Sequence, residues 1–136
     1  MILIDSNILM YAAGGSHPHK ADSLALLDRV AKGEVEAAVD AEVLQEILHR
    51  YRALGRWDDG RRVYDLARRI IPVVLPLTAE VLDLARALLD RQPKLMARDA
   101  LHAAACENAG IESICSYDRD FDRIPGLKRV EPARVR

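Results

Sequence analysis

Four acids stand where a small fold can gather charge. Asp5 follows the apolar run Ile2-Leu3-Ile4, and Glu46 lies inside Val43-Leu44-Gln45-Glu46-Ile47; Asp99 heads an alanine-rich stretch, and Asp118 sits in Ser116-Tyr117-Asp118-Arg119-Asp120. Ionised carboxylates crowded in a low-dielectric cleft repel, so a cluster of them persists only with some protonated or with a cation between them. Oxygen donors with no clustered cysteine or histidine select a hard ion, Mg²⁺ or Mn²⁺ and not zinc. Such an ion suits phosphodiester cleavage: it activates water for in-line attack, and a second ion stabilises the leaving oxygen. Each acid also has a plainer reading. Asp5 can cap a helix, Glu46 can pair with Arg50 at i+4, Asp99 can complement a helix dipole, and Asp118 can sit in a charged turn.

The elements that must position these acids are legible from periodicity and punctuation. Ile2-Leu3-Ile4 reads as a strand, and Asp5-Ser6-Asn7 as the entry to a helix. Residues 21–31 place Leu24, Leu27 and Ala31 on one helical face, ended by Gly33, and 36–39 is a second strand. Asp40 caps a helix whose inward stripe is Val43, Leu44, Ile47, Leu48 and Tyr51. A further amphipathic helix starts near Asp58 with Val63, Leu66, Ala67 and Ile70 at i, i+3, i+4, i+7. Residues 73–75 form a third strand, which the flanking Pro72 and Pro76 assign to a sheet edge. Thr78 caps the next helix, 98–108 is a helix closed by Gly110, 113–116 is a fourth strand, and 129–131 is a short fifth. Strands alternating with helices specify an α/β fold with a mainly parallel sheet covered on both faces. In such a sheet chemistry gathers beyond the carboxyl ends of the strands, where strand order reverses. Asp5 and Asp118 both follow strands and share one crevice if those strands are neighbours.

Composition narrows the class. Half of the 136 residues are hydrophobic and 30% are charged, which suits one folded domain over residues 1–136 and excludes extended disorder. The longest apolar run, 70–77, is far short of a membrane span, and Asp5 comes too early for a secretory signal, so a cytoplasmic protein is expected. Cys106 and Cys115 lack metal-binding spacing and read as buried thiols. The formal net charge is −1, so a nucleic acid must be held by a local basic surface. Between His49 and Arg69 there are seven arginines against three aspartates, and Arg50, Arg56, Arg61 and Arg62 are the candidate contacts for RNA or a partner.

The local sequence around each acid resembles the PIN-domain family along nearly the whole chain. Ile2-Leu3-Ile4-Asp5-Ser6-Asn7 is similar to its opening strand and acid, and Val43-Leu44-Gln45-Glu46-Ile47 to its second motif. Arg98-Asp99-Ala100-Leu101-His102-Ala103-Ala104-Ala105 is similar to its third, and Ser116-Tyr117-Asp118-Arg119-Asp120-Phe121 to its fourth. The resemblance implies a three-layer sandwich with a five-stranded sheet ordered 3-2-1-4-5. It implies a catalytic and metal-binding quartet of Asp5, Glu46, Asp99 and Asp118, supported by Ser6, Asn7 and Ser116. Asp120 and Asp122 stand close enough in sequence to assist or replace Asp118, and His102 reads as a packed or surface histidine. A free-standing chain of this length is most similar to VapC-type toxins. That implies a Mg²⁺- or Mn²⁺-dependent endoribonuclease, a homodimer, and a cognate antitoxin as partner.

Three rival readings differ in discriminating residues. An aspartyl-nucleophile phosphohydrolase needs a second acid where Asn7 stands. A phospho-receiver needs an acid ending the third strand, which here runs Leu75-Pro76-Leu77-Thr78. The remaining alternative is a PIN fold that has lost catalysis and only binds RNA or a partner, against which the intact quartet speaks.

Overall fold

Alternation along the first strand sets the architecture: Ile2 and Ile4 enter one apolar core and Leu3 the other. The computed structural model describes all 136 residues. In chain order they form β1 (Ile2–Ile4), α1 (Ser6–Ala13), α2 (Lys20–Ala31), β2 (Ala37–Asp40), α3 (Ala41–Ala53), α4 (Trp57–Ile70) and β3 (Val74–Leu75). There follow α5 (Ala79–Arg91), α6 (Ala97–Ala109), β4 (Ser113–Cys115) and β5 (Lys128–Val130). Every strand pairing is parallel and the order is β3-β2-β1-β4-β5. The central strands β1, β2 and β4 are buried on both faces, as a parallel sheet requires, while the edge strands β3 and β5 are only partly covered.

One core joins Ile2, Ile4, Ala37, Val39 and Cys115 of the sheet to residues such as Ile8 of α1, Leu26 of α2, Ile47 of α3 and Ala67 of α4. The other joins Leu3, Ala38 and Ile114 to Val81 and Ala85 of α5 and to Ala100, Ala103 and Ala104 of α6. The result is a three-layer sandwich, and the alanines of α6 let that helix lie close to the sheet. Helix boundaries follow side-chain chemistry: Asp40 Oδ1 accepts from the Val43 amide at 2.8 Å, Thr78 Oγ1 from that of Val81 at 3.3 Å, and Gly110 ends α6 at φ 71°. β3 lies at the sheet edge, as its flanking prolines require. Cys106 and Cys115 are free and buried, and burial pushes both thiols up to about 12.

Three helical faces differ from the sequence expectation. In α2 the buried set is Ser23, Leu26, Leu27 and Val30, while Leu24 and Ala31 are exposed. Ser23 starts the true i, i+3, i+4, i+7 row, and its hydroxyl is satisfied locally by donating to His19 O at 2.7 Å. A polar residue that pairs with its own helix can lead an inward face, which a purely apolar count misses. Leu48 and Leu66, expected inside, are exposed on α3 and α4.

The α3–α4 hairpin is closed by a near contact of backbone and ring. A Cβ built on Gly60 would stand 2.5 Å from Tyr51 Cβ. Propensity alone favours alanine over glycine inside a helix by about 1 kcal/mol. Overpacking costs about 1–3 kcal/mol, and here the clash is with a buried residue of a neighbouring helix. Gly60→Ala should therefore destabilise the protein by about 1 kcal/mol net. A urea titration showing an unchanged or raised midpoint would mean that the hairpin yields at no cost.

Candidate active site

Strand order reverses between β1 and β4, so their carboxyl ends open on the crevice where an α/β sheet binds ligands. Asp5 stands at that point. Its amide donates to Cys115 O of β4 at 3.0 Å, and its Oδ1 caps α1 by accepting from Ser6 N at 2.8 Å. Oδ2 accepts from Ser116 Oγ at 2.6 Å and from Asn7 Nδ2 at 3.3 Å. Ser116 ties the second strand end to the same group, since its Oγ accepts from the Asp118 amide at 3.0 Å and from Asn7 Nδ2 at 3.1 Å. Asp118 Oδ1 in turn caps the 3₁₀ turn Arg119–Arg123 by accepting from Asp120 N at 2.9 Å.

Helices bring the other acids. Asp99, in the first turn of α6, offers a carboxylate oxygen that lies with one from Asp118 and one from Asp120 within a mutual distance of 4.8 Å. Glu46, midway along α3, accepts from Ser6 Oγ and from Arg98 Nη1, the latter at 3.0 Å. Asp5, Glu46, Asp99 and Asp118 all line one cleft of about 460 Å³, together with Ser6, Asn7, His102, Arg50, Arg56 and Arg98.

Beneath the acids lies a buried ion pair. His102 Nδ1 is 2.6 Å from Asp40 Oδ2, and its Nε2 is 3.9 Å from Asp5 Oδ1. Burial opposes the imidazolium. The hydrogen bond and charge of Asp40, with the charges of Asp5 and Glu46, overcome it and raise the His102 pKa to about 9. Asp40 thus favours the imidazolium form of His102, which is fixed in the floor of an anionic site. Two of the carboxyls, Asp99 and Asp5, nonetheless hold their protons more tightly than free ones. Burial, reinforced by Asp118, Asp5 and Asp120 against the pull of His102, pushes Asp99 up to about 6. Asp5 is raised too, by burial and by Glu46 against His102 and the Ser116 hydrogen bond.

The expected residues divide clearly. Asp5, Ser6, Asn7, Glu46, Asp99 and Asp118 line the cleft and Ser116 joins two of them, but the close oxygen cluster is Asp99, Asp118 and Asp120, with Asp5 and Glu46 outside it. Asp122 is drawn away, because Arg129 Nε donates to it at 2.9 Å. Arg50 and Arg56 reach the cleft. Arg61 and Arg62 pair with Asp58 and Asp59, each at 3.2 Å, and do not line it. His102 is packed and not a surface group, but it also lines the cleft, one helical turn from Asp99. Sequence reading missed its partner Asp40, and also Arg98 on Glu46. It missed buried Glu42 as well, whose carboxyl burial raises further above its ordinary value than His102 lowers it.

The donor chemistry fits a hard divalent cation. Oxygen donors converge from Asp99, Asp118 and Asp120, and Asn7, which lines the same cleft, has a buried Oδ1 with no hydrogen-bond partner. An oxygen acceptor left over beside clustered carboxylates is the feature that a cation or its bound water satisfies.

Comparison with known proteins agrees with this geometry. A family model described as "PIN domain" matches residues 2–127. The chain is 45% identical over 130 residues to Ribonuclease VapC13 of Mycobacterium tuberculosis, covering 96% of this chain and 99% of that protein. Among solved structures, the VapBC2 complex of Rickettsia felis bound to promoter DNA contains a chain that superposes with a TM-score of 0.75 at 19% identity, over 96% of this chain and 98% of that one. VapC20 of Mycobacterium tuberculosis, described as a sarcin-ricin loop cleaving toxin, superposes with a TM-score of 0.67 at 18% identity, over 90% and 93%. At these identities the structural likeness establishes the fold.

The raised Asp99 carboxyl gives a signed pH dependence. Unfolded, the group titrates near 3.8, and folded near 6, so the native state holds this proton more tightly. The associated stability is full at low pH and is lost as pH rises through the folded value. Asp99→Asn, melted in EDTA, should raise Tm by a few degrees at about pH 8, with the gain vanishing toward about pH 4. A gain independent of pH would assign the effect to packing and not to charge.

Proposed function

Since the chain belongs to the PIN-domain family, we propose that it is a divalent-metal-dependent endoribonuclease of the VapC toxin type, with residues 1–136 forming a single such domain. The observation that carries this reading is the convergence of Asp99, Asp118 and Asp120 oxygens at a cleft that Asp5 and Asn7, with its unpartnered Oδ1, also line at the sheet's switch point. The ribonuclease name borne by the similar Mycobacterium protein supports it. Asp5, Glu46, Asp99 and Asp118, with Asp120, hold Mg²⁺ or Mn²⁺. That ion supplies an activated water and charge stabilisation at the cleaved phosphate.

The chain's own residues do the positioning. Ser6 N, Ser116 Oγ and Asn7 Nδ2 hold Asp5 from three sides, so its carboxylate is oriented before substrate arrives. Arg50 and Arg56 take the phosphates that flank the cut bond, because they line the cleft and carry charge opposite to the backbone. Asp40 fixes His102, whose cation lowers the cost of crowding the acids.

A toxin of this kind is paired with a cognate antitoxin that occupies the site or its rim, and the chain is a homodimer in the cytoplasm. A solved structure of the same fold, described as a toxin–antitoxin complex from Klebsiella pneumoniae, supports the partner. Exposed Leu48, Leu54 and Leu66 on the arginine-rich α3–α4 hairpin give it an apolar surface to cover. No helix is long and apolar enough to cross a membrane.

Two outcomes are expected. RNA cleavage should require Mg²⁺ or Mn²⁺, stop in EDTA and fail with Ca²⁺, and Asp5→Asn should lower it by about a hundred-fold or more while still capping α1. Undiminished cleavage in the variant, or cleavage in excess EDTA, overturns the site; binding without cleavage under every ion favours the catalytically inactive module. Separately, Arg50→Glu with Arg56→Glu should weaken RNA binding and reduce the salt slope by roughly one per arginine. Arg61→Glu should leave the slope nearly unchanged, and equal effects from both variants would spread RNA over the whole hairpin.

A further inference from the structure

Four rings gather at one lip of the acidic cleft. Tyr11 and His17 stack with centroids 4.4 Å apart, and His19 and Tyr117 stack at 3.7 Å, 11° from parallel. The two pairs meet edge to face, Tyr11 lying 5.0 Å from His19 and 5.5 Å from Tyr117. The chain has four tyrosines and four histidines, so half of each type is spent on this cluster.

Its placement follows from the site. Tyr11 is one turn beyond Asn7 on α1 and lines the cleft with it. Tyr117 immediately precedes Asp118. The rings are thus mounted on the two segments that carry Asp5 and Asp118.

The cluster is rigid and open at once. His17 is exposed, yet its Nδ1 accepts from the His19 amide at 3.0 Å, which leaves Nε2 to carry the ring proton. Its carbonyl accepts from Lys20 N at 3.1 Å, and Lys20 Nζ closes the loop by donating to Gly14 O at 2.5 Å. An exposed imidazole held in a fixed plane over a tyrosine is not needed to fill a core, where rings are buried.

We propose that Tyr11 and His17 form a stacking platform for one unpaired nucleobase of the RNA, next to the phosphate that enters the cleft. The proposal rests on the nuclease reading and deepens it to substrate form. A planar, uncharged, π-faced ligand suits the exposed ring of His17, while the arginines that line the cleft take phosphates. Duplex RNA keeps its bases inside the stack and gains nothing from the platform, so the substrate is an unpaired strand or loop.

The test uses an unpaired RNA oligonucleotide with 2-aminopurine stepped along its length, and the same strand annealed to its complement. With Ca²⁺ present, one position of the unpaired strand should lose fluorescence on binding, and His17→Ala should abolish that quenching. In Mn²⁺ cleavage assays His17→Ala should raise KM about ten-fold with kcat little changed, and His17→Phe should restore KM. Unaltered KM with no position quenched overturns the platform and leaves the nuclease standing. Quenching at one position without cleavage upholds the platform and sinks the nuclease. Loss of antitoxin capture by His17→Ala, with RNA binding and quenching intact, assigns the rings to protein and also overturns the proposal.

Discussion

The constraint on which this structure turns is the mutual repulsion of acids at the carboxyl ends of β1 and β4. The site tolerates it because the counter-charge is partly built in. His102 is buried, hydrogen-bonded to Asp40, and only 3.9 Å from Asp5. Removing one partner of a buried pair typically costs about 3–5 kcal/mol, so Asp40 and His102 tie β2, α3 and α6 together as firmly as the apolar contacts around them. Arg98 on Glu46 adds a second cation at the rim. Its guanidinium is largely exposed while Glu46 is mostly covered, so the pair contributes less to stability than to where Glu46 points.

Several acids serve fold and site with the same atoms. Asp5 caps α1, Asp40 caps α3, and Asp118 caps the turn that brings Asp120 back. The economy has a physical basis: a strand that ends in an N-cap residue delivers a carboxylate to the sheet edge in a fixed orientation, held by backbone amides. The same economy confounds alanine substitution, which removes a cap worth about 1 kcal/mol along with the charge. Asparagine caps nearly as well as aspartate, so it separates the two roles.

How much was legible in the sequence follows from the range of each interaction. The strand order that the structure shows is implied only by the family resemblance, whereas the edge placement of β3 and the helix starts at Asp40 and Thr78 depend on local chemistry and turn up where expected. So do the cleft positions of Asp5, Glu46, Asp99 and Asp118. The Asp40–His102 pair spans 62 residues, and Asp40 already had a complete local explanation as a cap, so nothing in the sequence demanded a second role. Asp120 and Asp122 are equivalent on paper. The 3₁₀ turn separates them, directing one to Asp99 and Asp118 and the other to Arg129. The arginine surplus between His49 and Arg69 was visible as a count, but i,i+3 pairing with Asp58 and Asp59 neutralises part of it.

That partial neutralisation bears on how an RNA chain approaches at all. The formal net charge is −1, so there is no global attraction for a polyanion, and the acids of the cleft repel phosphate directly. Attraction has to be local and asymmetric. Arg50, Arg56 and Arg98 line one part of the wall, and His102 offsets charge from below without reaching solvent. A divalent ion bound by these carboxylates would offset much of the negative charge where the phosphate must sit, so cation and substrate would favour each other's binding. Contacts that carry no charge become the more useful in such a site, since they neither compete with the acids nor weaken with salt. The ring cluster at the lip is placed to supply that kind of contact, which would make recognition depend on the form of the RNA and not only on its charge.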